Sequence, residues 1–345
     1  MSYRVLNSIS VKNLSGKEFV KDKSSLLVVL VDKSAKKNKL LIHMDKVTKG
    51  SLFKSINSFL KSKAKSLNLQ SPDGVSSKEV LLMKTPEKSN TYLWLDLFKS
   101  ISKIANSLGK QDISVMFACK CPDGKDESWL TEVCCRQIEA SAYIFGSSKN
   151  KTVVKPSLKR ASIIASSVTS SALKKLKTSA KIGFAVGEAM NAAKHLGDMP
   201  ANLCTPRIIE SKVKALKKPF PKLKISTFNE KDLAKLKMGS FLSVGRGSDE
   251  PSRMMTIEHK GGKAGEKPIV LVGKGITFDT GGISLKPSPA MDEMKWDMCG
   301  AASVFGVMIA LARLNAKVNV VGLLACAENM PCLLYTSPSP RDMWT

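Results

Sequence analysis

The sequence predicts an α/β protein of two domains, each a mixed or parallel sheet flanked by helices. Three observations predict it. Over residues 1–146, apolar runs of strand length alternate with stretches of helical periodicity. A Ser-, Lys- and Ala-rich stretch, 147–181, then breaks the pattern. Beyond it the alternation resumes and ends in an apolar run, a glycine-rich loop, an apolar helix and a second apolar run. At 345 residues the chain is long enough for two such domains, each with its own core.

In order, Ser25–Val31, Lys39–His43 and Ile113–Ala118 are apolar runs expected as strands. Leu52–Leu67 carries Leu52, Ile56, Phe59, Leu60 and Lys63 at helical spacing, and Leu93–Leu108 carries Leu97, Ile101, Ile104 and Leu108 on one face. The 147–181 stretch holds Pro156 and a Ser-Ser-Val-Thr-Ser-Ser run ending at Ser171. That is linker composition, so the domain boundary is expected there, with Ala172–Ala180 its best helical candidate. Gly183–Leu196 reads as a helix with a close-packing face of Ala185, Ala189, Ala192, Ala193 and Leu196, stopped by Gly197. Thr205 is placed to cap the next helix, with Pro206 at its first position.

Lys224–Phe228 is then a strand, Glu230–Lys237 a helix and Pro268–Val272 a strand. Asp297–Leu314 is apolar on several faces, as a buried helix is, and Val318–Ala325 is the last strand. A strand, a helix and a strand in succession make the two strands parallel and put the loop between them at their carboxyl ends, where α/β folds place ligands.

That loop is poor material for a core. It reads Val272-Gly-Lys-Gly-Ile-Thr-Phe-Asp-Thr-Gly-Gly-Ile-Ser-Leu-Lys286, continued by Met291-Asp-Glu-Met-Lys-Trp-Asp-Met-Cys-Gly-Ala-Ala302. Glycine permits sharp bends and close approach of backbones, while Lys274, Asp279, Lys286 and Asp297 bring charge to the end of a buried strand. The acids are hard oxygen donors suited to divalent cations. A lysine joins them only as the neutral amine, which adjacent dications can enforce. Lys274 is read in that role, and Lys286 as a protonated group facing a developing oxyanion. The residues alone also allow a glycine-rich turn with solvated charges.

Bulk properties exclude less. The formal charge is +26, from 55 basic and 29 acidic residues, and the pI is about 9.7. Such an excess permits nucleic-acid binding, because Lys and Arg neutralise phosphate whatever the base sequence. Most of it is lysine mixed with serine and few aromatics, so a solvated surface is the simpler reading and a stacking platform is not evident. No apolar run approaches a membrane span, and the amino-terminal residues lack the apolar core of a secretory signal, so a cytoplasmic protein with no membrane partner is expected. The eight cysteines form no framework and read as reduced thiols. Cys119, Cys121, Cys134 and Cys135 are paired too closely for a four-thiolate zinc site. His43, His195 and His259 are too scattered for a histidine metal site, and His195 reads as a packed imidazole.

The loop just quoted closely resembles the leucyl aminopeptidase family of two-metal exopeptidases. Ala193-Lys-His-Leu-Gly-Asp-Met-Pro-Ala-Asn-Leu-Cys-Thr-Pro206 and Val320-Val-Gly-Leu-Leu-Ala-Cys-Ala-Glu-Asn-Met-Pro331 resemble the same family, so the likeness covers roughly Ile182 to Pro331. By that resemblance Lys274, Asp279 and Asp297 are metal ligands, with Asp279 bridging, and Lys286 is the catalytic lysine. Two divalent ions, Zn2+ or Mn2+, peptide substrates and a homo-hexamer are implied in the same way. A second role in DNA binding, known for some relatives, keeps a nucleic-acid partner as the alternative reading.

The family's later Asn-Thr-Asp-Ala-Glu-Gly-Arg segment, with two more acidic ligands and an arginine, has no counterpart here. Residues 332–345 read instead as a translated sequencing adapter. The expectation is therefore a partial catalytic domain over 182–331, inactive as it stands.

Overall fold

The computed structural model describes residues 3–70, 72–87, 90–146, 156–166 and 168–331. They fall into two compact units, Arg4–Glu188 and Ala189 onward, the second taking in Tyr3. The first unit comprises β1 (Ser8–Leu14), α1 (Gly16–Val20), β2 (Leu26–Val31), α2 (Lys39–Val47), α3 (Ser51–Lys61), β3 (Ser66–Gln70), β4 (Glu79–Lys84), α4 (Thr91–Ser107), β5 (Asp112–Ala118), α5 (Glu127–Ser141) and β6 (Arg160–Ser166). Its sheet has the order β1-β6-β5-β2-β4-β3, parallel throughout except for β3.

An unbroken apolar strand belongs in a sheet covered on both faces, and β2 is one. Leu26, Val28 and Leu30 pack with Trp94, Phe98 and Ile101 of α4 and Leu130 of α5. Leu27, Val29 and Val31 pack on the other face with Leu40, Met44, Leu52 and Ile56 of α2 and α3.

Three expectations change here. Lys39–His43 is not a strand but the start of α2, capped by the Asn38 side chain, which accepts from the N–H groups of Leu40 (3.0 Å) and Leu41 (3.2 Å). Five residues of an apolar run carry too little periodicity to choose between strand and helix; the cap and the buried stripe of Leu40, Leu41 and Met44 decide it. Helix α3 stops at Lys61, and Leu67 lies in β3.

The 147–181 stretch is no simple linker either. Residues 147–155 and 167 lie outside the described residues, but β6 is a central strand between β1 and β5, and helix α6 (Ser170–Asp198) follows. Ala180 and Phe184 of α6 belong to the first unit's core, so the division falls inside α6.

The second unit comprises the end of α6, then α7 (Pro206–Ala215), β7 (Lys224–Phe228), α8 (Glu230–Lys235), α9 (Gly239–Val244), β8 (Arg253–Lys260), β9 (Ile269–Asp279), α10 (Cys299–Leu314) and β10 (Asn319–Asn329). Thr205 caps α7 by accepting from the Ile208 N–H, with Pro206 at the first turn, as its sequence signals. The sheet order is β7-β8-β10-β9, and β9 and β10 are parallel while β8 is antiparallel to both its neighbours. The β9–α10–β10 unit thus has the predicted parallel form, with two differences. Strand β9 does not stop at Val272 but continues through the glycines to Asp279, and α10 begins at Cys299, after Asp297.

Met291–Leu314 is long and apolar enough to cross a membrane by length and composition, contrary to the sequence reading. Within this unit Ala301, Ala302, Phe305, Met308 and Ile309 are core side chains, which accounts for the apolarity.

One buried acid ties the first unit's amino-terminal segment down. Glu139 of α5 is fully buried; its two carboxylate oxygens accept from the N–H groups of Val5 (2.6 Å) and Leu6 (3.0 Å). Gly187 lets α6 lie against it, since a Cβ there would fall 2.8 Å from Glu139 Cβ. Alongside, Arg4 donates to the buried Glu188 at 2.9 Å. Burial, the largest influence, and the neighbouring Glu188 push the Glu139 carboxyl from an ordinary 4.5 up to about 7, against the lowering pull of the two N–H groups and Arg4. A folded-state value above the unfolded one gives a contribution complete below about pH 4.5 and lost as pH rises through about 7. Urea denaturation should therefore show stability falling by roughly 1 kcal/mol between pH 6 and pH 8, and Glu139→Gln should flatten that slope.

Candidate active site

The four charged residues singled out in the sequence lie between the middle and the carboxyl end of the parallel pair β9 and β10. Two of them, Lys274 and Asp279, are on β9 itself, opposite Ala325 and Asn329 of β10. Their surroundings explain the glycines. A Cβ at Gly273 would lie 2.6 Å from Ala301 Cα, and one at Gly300 would lie 2.9 Å from the Lys274 nitrogen. Only two bare backbones can come that close, so the start of α10 is seated directly on β9. This seating brings Asp297, in the turn after the short helix Met291–Trp296, to Lys274: Nζ to Oδ1 is 2.7 Å. Asp297 Oδ2 is buried and accepts no hydrogen bond among the described residues.

The second pair forms where the chain leaves β9. Gly281 and Gly282 take φ of +92° and +69°, a left-handed stretch that side chains resist, and the loop closes when the Lys286 N–H donates to Thr280 O at 2.9 Å. Lys286 Nζ returns onto Asp279 Oδ2, with the Asp279 carbonyl at 3.3 Å and Met294 Sδ at 3.4 Å. Asp279 Oδ1 accepts from Asn329 Nδ2 at 2.7 Å and the Gly281 N–H at 3.1 Å. Burial alone would raise the Asp279 carboxyl. Hydrogen bonds from Lys286, Gly281 and Asn329 outweigh it and hold the carboxyl below its usual value.

All four predicted residues therefore meet along β9 as two lysine–carboxylate pairs, one at its middle and one at its carboxyl end. Among the described residues no cluster of three His, Cys, Asp or Glu side chains could hold a metal ion, so any metal here would draw on lysine as well. The seven cysteines among them are free, and Cys134 and Cys135 are buried in α5. His195 lies in the last turn of α6, 3.4 Å from Lys212 Nζ, where burial and that lysine lower its pKa.

Residues 191–339 match the catalytic domain of the cytosol aminopeptidase family. The chain is 43% identical over 238 residues to a probable cytosol aminopeptidase of Aromatoleum aromaticum, covering 69% of this chain and 47% of the relative. With the protein of the same description from Nitrosomonas europaea it shares 38% over 275 residues, 79% of this chain and 55% of that one. The chain thus spans about half the length of the curated relatives it matches. Among solved structures, a mutant of tomato leucine aminopeptidase superposes with a TM-score of 0.70 at 23% identity, covering 96% of this chain and 64% of that one. A bottromycin maturation enzyme solved in complex with Mn superposes at 0.68 with 23% identity, covering 89% and 60%. At these identities the superpositions establish a shared fold.

Asn329 is the residue of this site that the motif contained without announcing a role. Its place became visible only when β10 was laid beside β9. The glycine seating is open to a direct check. Gly273→Ala should destabilise the protein by about 1–3 kcal/mol, since the new methyl meets backbone that cannot step aside. Gly239→Ala, where a Cβ meets nothing within 4 Å, should be neutral or slightly stabilising in the same denaturation experiment.

Proposed function

We propose that this chain is part of a metal-dependent aminopeptidase that releases amino-terminal residues, leucine and similar ones, from peptides in the cytoplasm. The observation that carries the reading is the orphaned oxygen of Asp297. A buried carboxylate oxygen without a donor is costly, and a hard cation is the partner that suits it. The donor set around it supports this: the Asp279 and Asp297 carboxylates and the Lys274 amine would hold the metal, and the manganese of the bottromycin enzyme is a precedent for a divalent ion on this fold. Two divalent ions, zinc or manganese, would supply Lewis acidity at the scissile carbonyl and an attacking water acidic enough for neutral pH.

The chain's own residues do the rest. Lys274 can ligate only by giving up its proton and its pairing with Asp297, so metal loading should release a proton. Lys286 keeps its proton. Held by Asp279 and Met294, it would donate to the substrate carbonyl oxygen as negative charge develops there. Asp279 thereby links the metal side of the site to the oxyanion side. The cytosolic description of the relatives and their peptidase class support the substrate and the location, and a homo-hexamer belongs to the same reading. None of the relatives named is described as a nucleic-acid binder, so the lysine-rich surface is left as a solvated one.

With only two acids and one amine gathered among the described residues, the 345-residue chain should not turn over leucine amide with added Mn2+. A longer chain that carries the remaining part of the family's catalytic domain should hydrolyse leucine amide until a chelator is added, and Lys286→Ala in it should lower kcat about 10²–10³-fold. Chelator-insensitive hydrolysis would sink the metal mechanism.

A further inference from the structure

We infer that Asn329 is a positioning residue: its side-chain amide fixes the Asp279 carboxylate so that Oδ2 is the oxygen offered to a cation. The inference rests on the reading of Asp279 as a metal donor. A carboxylate has two oxygens of nearly equal basicity and rotates about χ2 unless something distinguishes them. Here Oδ1 is filled by two neutral donors, Asn329 Nδ2 at 2.7 Å and the Gly281 N–H at 3.1 Å. Among the described residues, the hydrogen-bond partner of Oδ2 is a cation, the Lys286 ammonium. The amide must point its nitrogen at Asp279, because its oxygen would repel the carboxylate.

Asn329 is in turn held from three directions. Its carbonyl accepts both the Thr280 N–H (2.9 Å) and the Thr280 hydroxyl (2.8 Å), and Thr280 is buried. The register between β9 and β10 shifts between Ala327 and Asn329, an irregularity of the kind that re-aims a side chain at a strand end. Gly282 leaves the space the amide oxygen needs, since a Cβ there would lie 2.9 Å from Asn329 Oδ1. A neutral donor so tightly placed orients a ligand without competing for its charge, which is what outer partners of metal sites do.

The test uses the 345-residue chain and Mn2+ alone, titrated by calorimetry and by the loss of the free-ion paramagnetic resonance signal. The wild-type chain should bind Mn2+ saturably and Asp279→Ala should not. Asn329→Ala should weaken binding about 10–100-fold at an unchanged unfolding midpoint in metal-free buffer, a combination that a purely structural role would not produce. Should Asn329→Ala unfold, Asn329→Gln, which keeps the amide but moves it by one methylene, carries the same expectation. Wild-type affinity in a folded Asn329 variant, alongside lost binding in Asp279→Ala, overturns the positioning role and leaves Asp279 a ligand. Equal binding by Asp279→Ala and the wild type, or no saturable binding by either, overturns both.

Discussion

The candidate site depends on one close approach, that of the first turn of α10 to the middle of β9. Gly273 and Gly300 are the contact, and the distances a Cβ would meet are to backbone atoms on both sides. Each glycine in regular structure costs about 0.5–1 kcal/mol relative to alanine. Their presence in a strand and at a helix start therefore needs a reason, and the reason is geometric. Moving α10 outward by the width of a methyl would withdraw Asp297 from Lys274 and leave the site without its second acid.

Magnitudes also say what the charged pairs are not for. Lys274 is 61% exposed, and a pair of that kind contributes about 0–1 kcal/mol to stability. Leaving Asp297 Oδ2 buried and unpartnered costs about 1–3 kcal/mol, as much as or more than the pair returns. A group kept at a net loss in the folded chain is better explained by what it can bind. Asp279 is different in kind: it is satisfied from three sides, and its lowered pKa follows from those donors. One acid is left open while the other is aimed, a division that suits a site where orientation and charge are supplied by different neighbours.

The first unit shows the opposite economy of polar groups. Its sheet is covered on both faces, and its buried acid, Glu139, uses both oxygens on backbone N–H groups. That arrangement anchors the start of the chain and leaves nothing open. The carboxyl-terminal unit leaves a carboxylate oxygen open at Asp297, whereas Glu139 in the amino-terminal unit has both of its oxygens taken.

Much of this was legible in the sequence where the governing pattern is local. The apolar runs of β2, β5, β9 and β10, the spacing on α4, the Thr205-Pro206 cap and the glycine-rich motif with Lys274, Asp279, Lys286 and Asp297 each lie within one short stretch, so periodicity and turn chemistry could expose them. The fold class and the family resemblance followed. What the sequence could not determine involved partners distant along the chain. Strand β6 hid in serine-rich composition because its strand character comes from lying between β1 and β5. Lys39–His43 became helix because Asn38 capped it and a core received its apolar stripe. Strand β9 ran on to Asp279 because β10 continued beside it, and Asn329 acquired its role from a carboxylate 50 residues away. Local preference is written in neighbouring residues, but pairing, register and the aim of a side chain are set by which surfaces meet, and only the tertiary structure decides that.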